Sequence, residues 1–324
     1  MKQLYCVQAI GEAIAEEMEK DEKVFFMGES IKEHVFKVGA GQNWHKKFPN
    51  QMINMPIAEN IIAGTAVGAA MAGYRPIADF MMSDFFYVAG GEICLNAAKW
   101  RFNHGGGDCK VPVVFFGSAG GGFRLGSEHS QIPTGLIMHV PGIKMVLPSN
   151  PADAKGLLKA AIRDDNPVVY LYHKGLLGMQ GEVPEGEHLV EIGKAAVTRE
   201  GTDVTLVATS LWVSWANEIA DELKGKISVE VIDPRTIVPL DIDTIVESVK
   251  KTGRLVVADE DVSVCGITAE ICMQVCERAF DYLEAPPMRV AAANIPLPGG
   301  VLEQFALPHK EDIRNAVEKI VSND

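Results

Sequence analysis

The sequence lacks the patterns that mark several protein classes. Its six cysteines include no C-x-x-C pair and no zinc-ligand spacing, so neither a disulfide framework nor a zinc centre is predicted. No uncharged run reaches the length of a membrane-spanning helix, since the longest candidate, residues 61–74, is too short. The first twenty residues read as an amphipathic helix without the apolar core of a signal peptide, which predicts a cytoplasmic protein with reduced thiols.

Positive charge is also scarce. Lysine and arginine number 30 against 43 aspartates and glutamates, which gives a formal net charge of −13. Nucleic acids and anionic membrane surfaces carry the same sign and are excluded as expected partners, whereas a basic protein partner would suit this charge. The 47% hydrophobic and 23% charged residues are typical of a globular protein, and 324 residues exceed the usual size of a single core.

The glycine fingerprints of nucleotide binding are missing. A dinucleotide site would place G-x-G-x-x-G after the first predicted strand, where VFFMGES at residues 24–30 has one glycine. The glycine-rich stretch at residues 117–126 neither matches that spacing nor leads clearly into a helix, and a P-loop is absent as well. These absences disfavour a nicotinamide-dependent oxidoreductase of the Rossmann type.

Short apolar runs alternate with amphipathic helical patterns along the whole chain. Runs bounded by glycine, proline or polar residues are typical of parallel strands buried on both faces. In the first half they lie at residues 24–30, 75–82, 111–117, 143–148 and 167–172. We predict an α/β protein with mostly parallel sheets in two domains, residues 1–180 and 201–324, joined by a glycine-rich linker at 181–200.

Glu59 precedes a run of fourteen uncharged residues, 61–74, of which five are alanine. An acid in the first turn of a helix is stabilised by about 0.3–1 kcal/mol, so helix capping explains this position as well as catalysis does. Gly64 and Gly68 lie on one face of the predicted helix, which indicates close approach of a second helix. That second helix could belong to this chain or to another subunit.

Two further segments contain candidate functional residues. His129 follows a glycine-rich loop in EHSQ, although a histidine in such a place is more often structural. Phe80, Phe85, Phe86 and Tyr87 form an aromatic cluster that would ordinarily be core and that could also hold a planar ring. The residues alone leave both alternatives open.

Several blocks together resemble the beta subunit of thiamine-diphosphate-dependent 2-oxo acid dehydrogenases, the decarboxylating components of the pyruvate, branched-chain 2-oxo acid and acetoin dehydrogenase complexes. The resemblance implies a transketolase-like pyrimidine-binding domain followed by a transketolase C-terminal-like domain. It also implies cleavage of a bond next to a carbonyl and transfer of the acyl group to a lipoyl domain. The blocks, in the family's order from about residue 4 onward, are PIAENIIAGTAVGAAMAGYRPIADF, LNAAKWRF, EHSQ, HVPGIKMVLPSNPADAKGLLKAAIRDDNPVV and VIDPRTIVPLD.

The resemblance assigns roles to three of the candidates. It places Glu59 against the aminopyrimidine ring of the cofactor, where a carboxyl group bonded to the ring nitrogen favours the imino tautomer that takes the thiazolium proton. An apolar setting would desolvate that carboxyl and help it share a proton. Phe85 falls where the family stacks an aromatic ring on the pyrimidine. His129 falls on the family's active-site histidine, which assists the acyl intermediate or its transfer.

The family also carries a potassium ion that is coordinated largely by main-chain carbonyls. The matching positions here are Val113, Ala161, Ile162, Asp164 and Asn166. Oxygen ligands suit a hard cation. The alternative is a plain helix C-terminus whose last carbonyls meet water.

Some expected parts are missing or altered. Thiamine enzymes hold Mg²⁺ and diphosphate through a G-D-G motif, and the nearest match here, at residues 107–109, ends in Cys109. The resemblance therefore implies an alpha subunit that supplies this half of the site in an α2β2 heterotetramer. Phe116 replaces a common arginine, which could bear on substrate choice, and Gly266 is the remnant of a glycine-rich stretch in the second domain.

The family's second partner is a lipoyl acyltransferase core, which would dock through a basic subunit-binding domain. Two alternatives remain: the C-terminal half of a split transketolase, which would need basic residues for a sugar phosphate, and a catalytically inert assembly subunit. An inert subunit has no need of Glu59, Phe85 and His129 together. The sequence leaves pyruvate, acetoin and branched-chain 2-oxo acids open as substrates.

Overall fold

The computed structural model describes residues 1–33 and 44–322. Its contacts divide the chain into two compact units. The first contains Met1–Ala119 and Leu136–Ile192, and the second contains Gly120–Gly135 and the chain from Gly193 onward. The loop at 120–135 thus belongs to the second unit although it lies within the first in the sequence. A single boundary at 181–200 does not describe this arrangement.

The first unit is built from alternating strands and helices. Its elements are β1 (Lys2–Tyr5), α1 (Cys6–Lys20), β2 (Val24–Glu29), α2 (Trp44–Lys47), β3 (Met52–Met55), α3 (Glu59–Met71), β4 (Arg75–Met82), a 3-10 turn (Ser83–Phe86), a π-helix (Gly91–Ala97), α4 (Ala98–Asn103), β5 (Val114–Ala119), α5 (Thr134–Met138), where the chain returns, β6 (Lys144–Val146), α6 (Pro151–Arg163), β7 (Val168–His173), a 3-10 turn (Lys174–Leu176) and β8 (Gln180–Val183).

The main sheet of this unit has the strand order β6-β7-β5-β4-β2-β3, and neighbouring strands run parallel. The apolar composition explains the position of the strands, since every residue of β5 and β7 is buried. Because all these strands share one direction, their carboxyl ends lie at one edge of the sheet. The parallel α/β fold predicted from the alternation is confirmed.

Two helices, α6 and α3, begin where local sequence signals predicted, whereas α1 begins later than predicted. Asn150 caps α6 by accepting a hydrogen bond from the backbone N–H of Asp153 at 2.9 Å, with Pro151 at the first helical position. Glu59 is the first residue of α3. The predicted N-terminal helix, however, begins at Cys6, because Lys2–Tyr5 pairs antiparallel with β8.

The second unit repeats the alternation. Its elements are β9 (Ala196–Arg199), β10 (Val204–Ala208), α7 (Trp212–Glu222), β11 (Val229–Asp233), β12 (Thr236–Val238), α8 (Ile242–Thr252), β13 (Leu255–Val262), α9 (Ile267–Ala279), a 3-10 turn (Phe280–Tyr282), β14 (Met288–Ala292), a 3-10 helix (Gly300–Phe305) and α10 (Lys310–Ser322). The sheet order is β14-β13-β10-β11-β9, with β9 antiparallel to its neighbour. Strands β8 and β9 therefore occupy parts of the segment expected to be a linker.

An aspartate bends the chain near the carboxyl end of a strand in both units. The carboxylate of Asp79 accepts the N–H of Met81 at 2.7 Å, and that of Asp259 accepts the N–H of Asp261 at 2.8 Å. Met81 has a φ of +67°, a conformation that a non-glycine residue adopts only where its surroundings impose it. These turns fix the direction in which the chain leaves each sheet.

Within the two described ranges, no helix combines the length and apolar composition needed to cross a bilayer.

Candidate functional site

Glu59 lies at the carboxyl edge of the first sheet, where the chain passes from β3 into α3. Its side chain is half-buried. The apolar residues near it in the sequence, Ile57 and Ile61, are 74% and 50% exposed. The described part of the chain therefore does not shield the Glu59 carboxyl from water. The Glu59 carboxyl would be desolvated only if another molecule covered this surface of exposed isoleucines.

Phe85 lies at the same edge, in the 3-10 turn that follows β4. The turn is held by the Asp79 bend and by Ser118, whose hydroxyl donates to the carbonyl of Met81 at 2.6 Å. Phe80 and Phe86 are buried and meet edge to face with centroids 4.9 Å apart, whereas Phe85 is half-buried. The aromatic cluster thus divides into a core pair and a ring at the sheet edge.

Strand β2 lies between β3 and β4 and brings one more acid to this edge. Its last residue, Glu29, pairs with Met55 and is half-buried. The preceding Gly28 lies against Asp79, since a Cβ at that position would come within 2.6 Å of the Asp79 carbonyl oxygen. Glu29 is not among the residues predicted from the sequence, although an acid at the end of a buried apolar run was the available signal.

The small-residue face of α3 is only partly covered. A Cβ at Gly64 would meet the carboxyl carbon of Glu92 at 3.6 Å, but a Cβ at Gly68 would meet nothing within 4 Å in the described part of the chain. Ile61, Thr65 and Gly68 are exposed along this face. The predicted close approach at Gly68 is not made by the described residues, so contact with another subunit remains the alternative.

The carbonyls predicted to hold potassium already have partners. The guanidinium of Arg75 donates to the carbonyls of Ile162 and Asp164 at 3.1 and 3.0 Å. The carbonyl of Val113 accepts the N–H of Val168 in the sheet, and that of Ala161 accepts the N–H of Asp164 at 3.3 Å. A carbonyl oxygen has two lone pairs, so these bonds leave acceptor capacity while placing a fixed cation beside two of the expected ligands.

The side chain of the fifth predicted ligand, Asn166, makes two hydrogen bonds of its own. Its amide oxygen accepts from Arg101 at 2.6 Å, and its amide nitrogen donates to Asp164 at 2.8 Å. The carboxylate of Asp165 bonds both Arg75 and Lys110, which holds the pKa of this carboxyl below its usual value. The helix end is therefore ordered by side chains as well as by its own backbone.

Phe116 and Gly266, the departures from the family pattern, have structural roles. Phe116 is buried in β5 and stacks on Tyr170 with ring centroids 5.5 Å apart. An arginine here would bury a charge among aromatic rings, which is costly without a partner. Gly266 caps α9, and a Cβ there would come within 2.6 Å of the Val262 carbonyl oxygen.

His129 belongs to the second unit and lies in the loop between β5 and α5. It is half-buried, and its backbone N–H donates to the carbonyl of Gly126 at 3.2 Å. The Gly120 N–H donates to the carbonyl of Gln131 at 3.2 Å, which closes the loop at its base. Glu59 and Phe85 belong to the first unit.

Acidic residues near the carboxyl end of β13 lie at the point where this loop is attached to the second unit. Asp261 accepts hydrogen bonds from the Thr134 hydroxyl at 2.6 Å and the Gly135 N–H at 2.9 Å. Asp259 is fully buried, accepts the Thr209 hydroxyl, and has a pKa raised to about 7, chiefly by desolvation. Asp259 is not among the residues predicted from the sequence, although the DED motif at the end of an apolar run was an available signal.

Two family descriptions match the chain. Residues 2–180 match the transketolase pyrimidine-binding domain, and residues 193–313 match the transketolase C-terminal domain. In three dimensions the chain resembles a split-gene transketolase, described as an inactive beta4 tetramer, with a TM-score of 0.81, 24% identity and 98% of both chains covered. These matches confirm the two domain types that the resemblance implied.

Curated relatives match nearly the full chain. It is 44% identical over 316 residues to the pyruvate dehydrogenase E1 component subunit beta of Rickettsia felis, with 97% of each chain covered. It is 41% identical over 323 residues to the acetoin:2,6-dichlorophenolindophenol oxidoreductase subunit beta of Cupriavidus necator, covering 96% of this chain and 95% of that one. It is 42% identical over 324 residues to the mitochondrial pyruvate dehydrogenase E1 subunit beta of Bos taurus, covering 97% and 90%.

Proposed function

The chain belongs to the family of E1 beta subunits that contains those of pyruvate dehydrogenase, and we propose that it supplies the pyrimidine half of a thiamine diphosphate site to an α2β2 dehydrogenase. The enzyme would cleave the bond next to the carbonyl of a 2-oxo acid or of acetoin and pass the acyl group to a lipoyl acceptor. A split transketolase half is less supported, because the dehydrogenase subunits match at 41–44% identity and the transketolase structure at 24%.

The single observation that carries this proposal is the half-open edge of the first sheet. Glu59 and Phe85 lie at the carboxyl ends of β3 and β4, and Ile57, Tyr87 and Val88 nearby in sequence are 74%, 52% and 59% exposed. A complete site would bury the acid and the ring, because a desolvated carboxyl and a stacked ring both need exclusion of water. The exposed apolar residues fit a second chain that covers them.

The residues present fit the pyrimidine end of the cofactor. When bound, thiamine diphosphate supplies the carbon nucleophile and the electron sink for cleavage next to a carbonyl. Glu59, the first residue of α3, would hold or release a proton at its carboxyl oxygen towards the ring nitrogen. Phe85 would orient the ring by stacking, and Ile57 and Ile61 would exclude water once covered.

His129 would act on the acyl side of the reaction. It is half-buried in a loop whose base is closed by the hydrogen bond from Gly120 to Gln131, and an imidazole can donate a proton or a hydrogen bond to a reacting oxygen. We propose that this proton serves transfer to the lipoyl group. The acyltransferase would dock through a basic domain on this acidic chain, whose net charge is −13.

Diphosphate and Mg²⁺ would be held by the alpha subunit. Asp108, in the only stretch that approaches G-D-G, is exposed in the loop after α4. Potassium on the carbonyls around Ile162 and Asp164 stays a prediction, and it requires the ion to share these oxygens with Arg75. Replacing K⁺ by Na⁺ should lower the melting temperature of the protein if the ion is bound there, and an unchanged melting curve would contradict it.

Titration calorimetry on the full chain, with and without an alpha subunit, tests the proposal. With Mg²⁺ present, the isolated chain should bind thiamine diphosphate weakly or not at all, because stacking and one hydrogen bond contribute about 1–3 kcal/mol each and association costs at least as much. Turnover of pyruvate, acetoin or a branched-chain 2-oxo acid should appear only after mixing. Micromolar binding by the chain alone would refute the shared site.

A further inference from the structure

The loop that carries His129 is attached to the second unit at both of its ends. It leaves β5 after Ala119 and returns to the first unit at Leu136. At its start, the backbone N–H of Gly121 donates to the carboxylate of Glu260, and at its end Asp261 accepts from Thr134 and Gly135. Two neighbouring acids of β13 therefore fix the two ends.

A third attachment lies between these ends, on the amino-terminal side of His129. The backbone N–H of Arg124 donates to Glu303 Oε2 at 2.9 Å, and the carbonyl of Arg124 accepts the N–H of Gly300 at 3.2 Å. Gly126 lies against the same segment, since a Cβ on Gly299 would come 3.4 Å from the Gly126 Cα. The segment 299–303 thus forms a seat for the loop.

The backbone at this seat is held in a conformation that costs energy. Arg124 has a φ of +63°, which a residue with a side chain adopts only where its surroundings impose it, and its own side chain is exposed. A hydrogen bond to a carboxylate is among the stronger kinds. The backbone contact with Glu303 is therefore the interaction best placed to impose the conformation.

Glu303 is a buried acid with one side-chain oxygen bonded to the loop. Its side chain is 4% exposed, and Oε1 has no hydrogen-bond partner in the described part of the chain. Burying a carboxyl group with one unpaired oxygen costs free energy, so the hydrogen bond made by the other oxygen must offset part of that cost. That bond goes to the loop and to no helix or strand of the second unit's own sheet.

We propose that Glu303 is a positioning residue, which acts through the backbone of Arg124 to fix the loop at 120–131 and with it the ring of His129. The inference deepens the proposed function, since the role of His129 in acyl transfer rests on that function. It also gives the second unit a part in the reaction, because Glu260, Asp261 and Glu303 all belong to it.

Hydrogen exchange on the full chain tests the anchoring without any assay of activity. Glu303→Ala should raise the exchange rate of the His129 amide, which bonds Gly126 inside the loop, by about tenfold or more, as loss of a hydrogen bond to a charged group implies. Glu303→Gln keeps an oxygen that can accept from Arg124 and should restore most of the protection. Unchanged exchange in Glu303→Ala overturns the proposal.

Activity of the enzyme assembled with its alpha subunit tests the consequence. Glu303→Ala should slow acylation of a lipoyl domain by about tenfold, more than it slows oxidation with an artificial dye, and Glu303→Gln should recover the rate. The control is Asp203→Ala, which removes a carboxylate that accepts the Ser228 N–H at 2.7 Å at the amino end of β10, away from the loop's attachments.

The outcomes separate this inference from the function on which it rests. A looser loop with unchanged acyl transfer, or equal losses in Glu303→Ala and Asp203→Ala, would overturn the positioning role. If His129→Ala were itself fully active, the proposed role of His129 would fail, and the exchange measurement would still decide whether Glu303 anchors the loop.

Discussion

Both sheets end with an aspartate turn, yet the two edges are used differently. In the first unit Asp79 bends the chain near the carboxyl end of β4, and at the same edge of the sheet Glu29 and Glu59 are half-buried, with the exposed Ile57 and Ile61 on either side of Glu59 in the sequence. In the second unit Asp259 makes the corresponding bend near the carboxyl end of β13, and the neighbouring Glu260 and Asp261 accept hydrogen bonds from backbone groups of their own unit. One edge leaves apolar side chains exposed beside its acids, and at the other edge the acids are engaged in internal hydrogen bonds.

The same local turn can therefore position groups for binding or for stability. A carboxylate that has its partners inside the fold is part of the structure, because removing it leaves buried donors unpaired. A carboxylate among exposed apolar side chains gains partners only when another molecule arrives. Substitutions at the two edges should therefore separate loss of activity from loss of stability.

The largest effect is expected at the open edge. Glu59→Gln should reduce turnover of the assembled enzyme by about a thousandfold, because the amide cannot exchange a proton with the cofactor ring, while the melting temperature stays within the range of the unsubstituted chain. Glu182→Gln, at an exposed acid of β8, is the control and should be fully active. Normal turnover in the Glu59 variant would remove this residue from the mechanism.

The closed edge should respond to pH instead. The pKa of Asp259 rises from 3.8 to about 7 on folding, so the folded state holds a proton that the unfolded state has lost between these values. Stability should therefore fall as pH rises from 5 to 8, by an amount on the order of 3 kcal/mol. Asp259→Asn keeps an oxygen for the Asp261 N–H and should abolish the slope.

Denaturant unfolding at several pH values measures this dependence. The unsubstituted chain should have its higher unfolding free energy near pH 5, and the Asn variant should exceed it at pH 8. Asp203→Asn serves as the control and should leave the slope in place. A steeper or unchanged slope in Asp259→Asn would show that another group is responsible.

His129 is the exception in the second unit, since it is predicted to act on the reaction. His129→Ala should slow acylation of a lipoyl domain by about a hundredfold and should slow dye-linked decarboxylation by less. The reason is that only acyl transfer to the lipoyl domain needs the proton of His129. His104→Ala, a change at an exposed histidine of the first unit, is the control. Equal losses in the two assays would contradict a role in transfer.

The smallest effect distinguishes Phe85 from Phe80 within the aromatic cluster. Phe85→Leu should weaken binding of thiamine diphosphate to the assembled enzyme by about fivefold to tenfold, because the stacked ring is lost while apolar volume is kept. Phe80→Leu, at a ring 2% exposed, should lower thermal stability and leave the dissociation constant unchanged. If the two variants behaved alike, Phe85 would be a core residue only.

Local patterns in the sequence predicted most, though not all, of the strands, the α/β class and the starts of α6 and α3. These features depend on neighbours within a few positions: apolar runs give buried parallel strands, and Asn150 with Pro151 starts a helix. The family blocks pointed to Glu59, Phe85 and His129. Their residue types were visible, but their partners were not.

The tertiary structure decided which unit holds His129 and what holds it there. Arg124 and Glu303 are 179 positions apart, and Thr134 and Asp261 are 127 apart, so no local pattern could pair them. The same holds for Arg75, which reaches the carbonyl of Ile162 87 positions away. Local propensity acts over a turn or a strand, whereas hydrogen bonds between distant segments form only after the sheets have brought those segments together.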